Sequence, residues 1–276
     1  DNYQVRVTIP YQLGMNNDFS DLRFADVYGN AISYWIESKT DGSTATVWVK
    51  IPSKDSSIFF YWGNGLAESE SDGTNVFDFF EDFSGNLSKW SFSNAAGSGG
   101  SEGIVSGRLR ILSKASNKRV GVSTTSFSSG VLEADIELNP NDGYQWGGAG
   151  FGSSETSHVV GQRIFTTSNQ ARAEWNTGGS YQSAGTISAS WTTWYLKVVL
   201  TGSTAKVYGK QNIGDVWTAF KEDILFSASS PIRLASYDDN LGAADGYCYF
   251  DNVRVRKYAA IEPTASITLT GKNRYY

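Results

Sequence analysis

Cysteine, histidine and methionine each occur once in this sequence of 276 residues, as Cys248, His158 and Met15. A single cysteine permits no intrachain disulfide, and a single histidine excludes a multi-histidine zinc or copper site. Charged residues are scarce at 18%, and the formal net charge is −5. That sign argues against a binder of nucleic-acid phosphates, whose affinity comes largely from Lys and Arg. No apolar run reaches the roughly 18 residues of a membrane-crossing helix. The chain opens Asp1-Asn2-Tyr3 without an initiator Met or a signal peptide, which fits a processed, exported chain or a trimmed one. What the sequence does contain is 40% hydrophobic residues, 14% aromatics and 29 glycines. That composition belongs to an all-β protein rather than a helical bundle or a disordered chain.

From Tyr3 the residues alternate strictly: Tyr3, Val5, Val7 and Ile9 on one face, Gln4, Arg6 and Thr8 on the other. This is the period of a half-buried strand. Leu22 to Ala25, Ile32 to Glu37, Thr46 to Ile51 and Ile58 to Trp62 read the same way, separated by Gly- and Asp-bearing turns. Residues 1–75 are therefore expected to form a small antiparallel sandwich, with the polar stretch Leu66 to Asn75 as its outgoing linker. A second block, 76–258, carries longer strands: Gly107 to Leu112, Val131 to Leu138, Ala149 to Phe151, Gln162 to Phe165, Ala171 to Trp175, Trp194 to Thr201, Ala205 to Lys210, Ile232 to Ala235 and Tyr249 to Val255. Their spacing and their Gly, Ser and Asn loops predict a two-sheet jelly roll. No convincing helix is expected, since the one helix-like stretch, Phe220 to Phe226, is too short to carry a separate layer. The tail, 259–276, holds a separate alternating segment with Ala265, Ile267 and Leu269 on one side.

Four ordered segments carry a family resemblance: Asp18-Phe19-Ser20-Asp21-Leu22-Arg23-Phe24, Tyr34-Trp35-Ile36-Glu37-Ser38, Val47-Trp48-Val49-Lys50-Ile51-Pro52 and Phe60-Tyr61-Trp62-Gly63-Asn64. Together they resemble a domain of unknown function found in secreted and surface proteins of archaea and bacteria. In that family a linker like Phe79-Phe80-Glu81-Asp82-Phe83 often leads into a concanavalin A-like, laminin-G-like sandwich. Here Val131-Leu132-Glu133-Ala134-Asp135-Ile136 and the closing run Tyr249 to Tyr258 look like parts of one. The resemblance implies a cell-surface or glycan-related setting, and the first domain's family carries no assigned chemistry.

The resemblance also implies a strand that this chain lacks. Family members usually begin one hairpin earlier, and Ile267 to Asn273 looks like the missing strand. Without it the edge formed by Tyr3, Val5, Val7 and Ile9 stays open to pairing. Three fates follow for the tail: donation to a neighbouring copy by β-augmentation, closure onto its own first domain, or an ordinary linker. Donation between copies is heterologous and builds a filament. The expected function is thus a non-enzymatic extracellular subunit of a surface filament or coat, pairing head to tail with copies of itself. The alternative is a carbohydrate-binding accessory module of a secreted glycan-active enzyme or adhesin.

Candidate site residues follow from residue chemistry. Tyr144, Trp146, Trp175, Tyr181 and Tyr237, with Asp238, Asp239 and Asn240, sit near predicted loops, where rings stack on sugars and Asp or Asn bonds hydroxyls. Trp191 and Trp194 belong to the same aromatic set, with Trp194 read as core. The other reading is that these aromatics pack the sandwich. Glu133, Asp135 and Glu137 share one strand face. That spacing is similar to the catalytic strand of lichenase-like and laminarinase-like glycosidases, yet Ala134 replaces the bulky aliphatic residue usual there, and a solvated strand face is the plainer reading. Glu81, Asp82 and Asp251 form a candidate structural calcium set at the first and last strands of the second domain. No other cofactor is expected. Asn86-Leu87-Ser88 is the sole N-glycosylation sequon, Cys248 reads as a buried thiol and His158 as a loop residue.

Overall fold

A computed structural model of the chain describes residues 2–53, 57–114, 117–138, 145–153, 159–165, 169–188, 193–238, 246–265 and 267–268. It divides into two units, Asp1–Asp78 with Ala259–Tyr276, and Phe79–Tyr258. Both are antiparallel β structures, as the residue alternation predicts.

The first unit contains β1 (Tyr3–Pro10), β2 (Arg23–Asp26), β3 (Tyr34–Thr40), β4 (Thr44–Ile51), β5 (Ile58–Tyr61) and the single-turn α1 (Gly73–Val76). A three-stranded sheet runs β1-β4-β3, and β2 pairs with β5. Val7 and Ile9 pair with Val47 and Ala45 on β4, and their face closes over Phe19, Leu22, Phe24 and Tyr34.

The expected linker is part of this unit. Arg23 binds the Glu68 carbonyl and the Glu70 carboxylate, the Ile36 N–H donates to Ser71, and Asp72 caps α1 by accepting from the Thr74 N–H at 2.8 Å. Phe77 then lies edge-on against Trp35 and Trp48, with ring centres 5.6 and 5.7 Å apart. The second face of the three-stranded sheet is thereby covered too. Gln4 on that face is buried and donates to the Val76 carbonyl. The boundary therefore falls after Asp78 rather than after residue 75. Polar composition read as a linker because its hydrogen bonds to β2 and β3 are made by backbone and short side chains, which leave no apolar period.

The expected strand at Ala265 and Ile267 is not formed in the single chain: Ala265, Ile267 and Thr268 are exposed and outside any strand, and Leu269 lies outside the described residues. A lone strand has no ladder to offset its ordering entropy. Among the described residues β1 pairs only with β4, so it is an edge strand.

The second unit opens with β6 (Phe79–Glu81), β7 (Trp90–Ala96), β8 (Ser101–Val105), β9 (Arg108–Ser113), β10 (Asn117–Phe127), β11 (Ser129–Leu138) and β12 (Gln145–Phe151). It continues through β13 (Val159–Phe165), β14 (Gln170–Asn176), β15 (Gln182–Ser188) and β16 (Trp194–Thr201). It closes with β17 (Thr204–Lys210), β18 (Thr218–Leu225), β19 (Ser230–Asp238) and β20 (Gly246–Arg256). One sheet runs β15-β14-β13-β12-β19-β10-β7 and the other β18-β17-β16-β11-β20-β9-β8, with β6 beside β20. Leu132, Ile136, Leu196, Val198 and Phe250 from the second meet Phe151, Val160, Ile164, Ile232 and Leu234 from the first in one core. This is the jelly-roll sandwich expected from the sequence.

The helix-like stretch is strand from Phe220 to Leu225, with Phe226 just beyond its end. Two register shifts between β17 and β18 leave Phe220 and Ile224 as the buried pair, so their spacing is four rather than two and imitates a helical period.

Candidate functional site

The outer face of the seven-stranded sheet gathers three of the expected sugar-binding aromatics, Trp146, Tyr181 and Tyr237. Ala149, Ile164, Ala171 and Leu234 point into the core, so strand alternation sends Trp146, Arg163, Arg172, Glu174, Arg233 and Tyr237 outward. The register lays these out in rows. Lys118, Tyr237, Trp146 and Phe165 lie abreast on β10, β19, β12 and β13; Gly148, Arg163 and Arg172 form the next row, and Arg233, Gly150, Gly161 and Glu174 the one after. β12 and β13 come so close there that a Cβ on Gly148, Gly150 or Gly161 would sit 2.5, 2.2 or 2.4 Å from a neighbouring carbonyl oxygen. The glycines leave a floor without side chains between Arg163 and Arg233.

Trp146 is not an open platform. It is 8% exposed, stacked on Tyr237 with ring centres 5.4 Å apart, and the Arg163 guanidinium carbon lies 4.0 Å from its ring centre. Lys118 Nζ approaches the same ring at 4.6 Å. Arg163 also reaches Tyr181, at 5.1 Å, and Tyr181 remains 40% exposed. Glu174 binds Arg163 at 2.8 Å and Arg172 at 2.7 Å, while Arg172 lies 4.3 Å over Phe165. Burial lowers the Arg163 pKa against the pull of Glu174, and lowers Arg233 to about 10. Burial likewise raises the Tyr181 phenol.

The remaining members of the expected sugar set divide. Trp175 packs against the sandwich core from the opposite side of β14, and Asp238 is 1% exposed, its carboxylate accepting from the Gly246 N–H at 3.0 Å. Neither lies on the outer face: each follows one residue after an outward position, and alternation turns it inward. Trp194 is core, as read from the sequence. Tyr144, Asp239, Asn240, Trp191 and His158 lie outside the described residues. Arg163, Arg172 and Glu174 were missed as site candidates. The signal that could have found Arg172 and Glu174 is the period-two alternation with alanine along β14, Gln170-Ala171-Arg172-Ala173-Glu174, whereas β13 carries Arg163 as a lone charge with no such pattern.

Glu133, Asp135 and Glu137 lie on the outer face of the other sheet, and each carboxylate is engaged. Glu133 is 5% exposed, with Arg254 at 2.7 Å and Arg256 at 3.5 Å. Burial would raise its pKa, but Arg254, Arg256, Lys197 and Lys210 hold it below the ordinary value. Asp135 accepts from Asn252 at 2.9 Å, and Glu137 pairs with Arg108 at 2.7 Å. The solvated strand face expected there is instead one in which Glu133 and Glu137 are ion-paired and Asp135 is bound by an amide.

The calcium set is not gathered as a group of three among the described residues. β6 and β20 adjoin as expected, with Glu81 opposite Val253. Glu81 accepts from the Phe83 N–H and pairs with Lys89 at 3.3 Å, whereas Asp82 accepts from Ser84. Glu81 is thus engaged by Lys89 at the end of β6, while Asp82, just beyond the strand, lies near enough to Asp251 to act on its charge. Among the described residues no three His, Cys, Asp or Glu side chains are grouped to hold a metal ion. Asp251 accepts from the Asn252 N–H, and burial, aided by Asp135 and Asp82, raises it to about 6. Asn86 is exposed, its side chain accepting from the Ser88 N–H, and the buried Cys248 thiol is pushed up to about 12.

Residues 18–93 match the family of a domain of unknown function, DUF2341. No curated protein matches the chain. Among solved structures, the Bacillus licheniformis β-glucanase superposes with a TM-score of 0.51 at 13% identity, over 65% of this chain and 98% of that one. A LamA variant from Z. galactanivorans, in complex with laminaritriose and laminaritetraose, gives 0.50 at 13% identity over 66% and 100%. The GH43 protein BlXynB of Bacillus licheniformis gives 0.51 at 16% identity, over 83% of this chain and 50% of its own. The likeness is one of fold: an antiparallel jelly-roll sandwich shared with glycoside hydrolases.

Proposed function

We propose that the larger sandwich binds carbohydrate on the outer face of its seven-stranded sheet, in an extracellular or cell-surface setting. The observation that carries this is Tyr181, an exposed ring standing beside Arg163, with Glu174 and Arg172 next to it. A flat ring takes the apolar face of a sugar, and a guanidinium–carboxylate group supplies both donors and acceptors for its hydroxyls. The fold likeness to a β-glucanase and to an oligosaccharide-bound LamA supports the reading. The proposed role is binding without hydrolysis, because the carboxylates of β11 are each committed to Arg254, Asn252 or Arg108. Affinity electrophoresis against laminarin, xylan and acidic polysaccharides tests it. Retardation of the wild type that Tyr181→Ala weakens by about tenfold supports it, and no retardation by any polysaccharide defeats it.

A second reading concerns the first unit, where β1 is an edge strand and the nearby tail leaves Ala265 and Ile267 exposed. It is head-to-tail assembly, with the tail of one copy pairing along β1 of the next. Tyr3 already meets this tail, its hydroxyl donating to Glu262 at 3.2 Å. Light scattering before and after deletion of residues 265–276 decides it: polymers lost on deletion support assembly, and a monomer in both cases ends it.

A further inference from the structure

Among the described residues, the charge on the proposed binding face is opposite to that of the chain. The protein is acidic, at −5. Yet the described outward positions of β10, β12, β13, β14 and β19 carry Lys118, Arg163, Arg172 and Arg233 against the single carboxylate of Glu174. These cations are gathered on one surface, not scattered. Arg163 and Arg172 are tied together through Glu174, Lys118 and Arg163 both touch Trp146, and Arg233 stands across the glycine floor from Arg163. Several are also substantially desolvated. The Arg163 side chain is 16% exposed, whereas Arg233, at 4%, is enclosed and adds to the local charge without meeting a ligand directly. A positive charge held in such surroundings gains more from an incoming anion than one in open water, because the local dielectric screens less.

The positions nearest solvent are suited to a first contact. Arg172 is 37% exposed in its side chain, and Tyr181 stands on the same side of Arg163. A sugar ring on Tyr181 would hold a substituent within reach of planar guanidinium donors, which suit carboxylate and sulfate oxygens better than a lone hydroxyl. Neutral glucans offer no anionic group to the exposed Arg172 guanidinium.

We infer that the ligand of this face is an acidic polysaccharide, whose carboxylate or sulfate groups are met by Arg172 and Arg163 while a sugar ring packs on Tyr181. The inference rests on the carbohydrate reading above and goes further by naming the class of glycan. Recognition is then part stacking and part charge, so affinity falls as salt rises, which stacking alone would not produce.

The test is calorimetric titration of the whole chain with polygalacturonate, dextran sulfate, laminarin and polyglutamate at low and moderate salt. Binding to polygalacturonate or dextran sulfate, weakened by salt and stronger than to laminarin or polyglutamate, is the expected result; which of the two binds separates carboxylate from sulfate recognition. Arg172→Gln should weaken that binding roughly tenfold, with an unfolding midpoint in urea close to the wild type. Binding to laminarin alone overturns the acidic ligand but leaves the carbohydrate reading standing. Equal binding to polyglutamate reduces the face to a general polyanion site and overturns the inference. Failure to bind every polysaccharide removes both. An Arg172→Gln variant that folds and binds acidic polysaccharide as well as the wild type overturns the assignment to this face.

Discussion

Arg163 on β13 lies diagonally across from Trp146 on β12, the guanidinium carbon 4.0 Å from the indole ring centre. Tyr237 stacks on the same indole, so Trp146 serves as a support for Arg163 rather than as a sugar platform. Trp146→Ala should therefore destabilise the larger sandwich by about 3–5 kcal/mol, as large-to-small changes at buried aromatics do. Tyr181→Ala should cost less than about 1 kcal/mol, as exposed positions do, and act on polysaccharide affinity instead. Urea unfolding beside affinity electrophoresis separates the two effects. Equal losses of stability would refute the division of roles.

Phe77 should be as important to the first unit as any residue of its sheet. It covers Trp35 and Trp48, a face that alternation alone would leave to solvent. Phe77→Ala should cost about 3–5 kcal/mol, visible as a lowered unfolding midpoint by tryptophan fluorescence. A midpoint unchanged from the wild type would show that residues 66–78 do not hold the sheet.

Glu133→Gln should be strongly destabilising, by about 3–5 kcal/mol, because it leaves Arg254 and Arg256 buried beside an uncharged partner. The pH dependence has a defined sign. Glu133 is held below its ordinary value of 4.5, so its contribution is present above that pH and is lost as pH falls through the lower folded value. Acid unfolding of the wild type followed by circular dichroism, set against Glu133→Gln, should show this part of the acid sensitivity removed.

Asp251 should act in the opposite sense. Its folded pKa is raised from 3.8 to about 6, so the folded state holds the proton more tightly than the unfolded state and stability declines as pH rises between those values. Asp251→Asn should be more stable than the wild type at pH 7 and should flatten the profile between roughly pH 4 and 6. Thermal melts across that range check it, and a wild type that gains stability with pH in step with the variant would contradict the raised value.

Gly150→Ala should disturb the sheet although Gly150 has an ordinary backbone conformation. The added methyl would lie 2.2 Å from the Val160 carbonyl oxygen, a backbone atom that moves only with its strand. A loss of about 1–3 kcal/mol is expected, typical of overpacking, and chemical denaturation measures it.

The strand order of the chain was readable wherever apolar residues alternate without interruption. Tyr3 to Ile9, Val131 to Leu138 and Trp194 to Thr201 all became strands close to their expected limits. Strands β7, β8, β10 and β15 were passed over, because Ser, Thr, Gly and Asn dilute their alternation and resemble loops. At the site, Tyr181 was recognisable as an aromatic near a loop, whereas Trp175 and Asp238 look identical in composition and point the other way.

The sequence by itself determined the all-β class, the two-part order of the chain, the absence of disulfide and multi-histidine chemistry and the match of its opening segments to one family. These follow from residue identity and short-range period, which do not depend on what lies across the sheet. Only the tertiary structure decided that Phe77 belongs to the first unit, that Glu133 is enclosed by arginines and that Lys118, Arg163, Arg172 and Arg233 share a face. Those residues lie far apart along the chain. Strand order and register bring them together, and two residues adjacent in sequence can end on opposite sides of the same sheet.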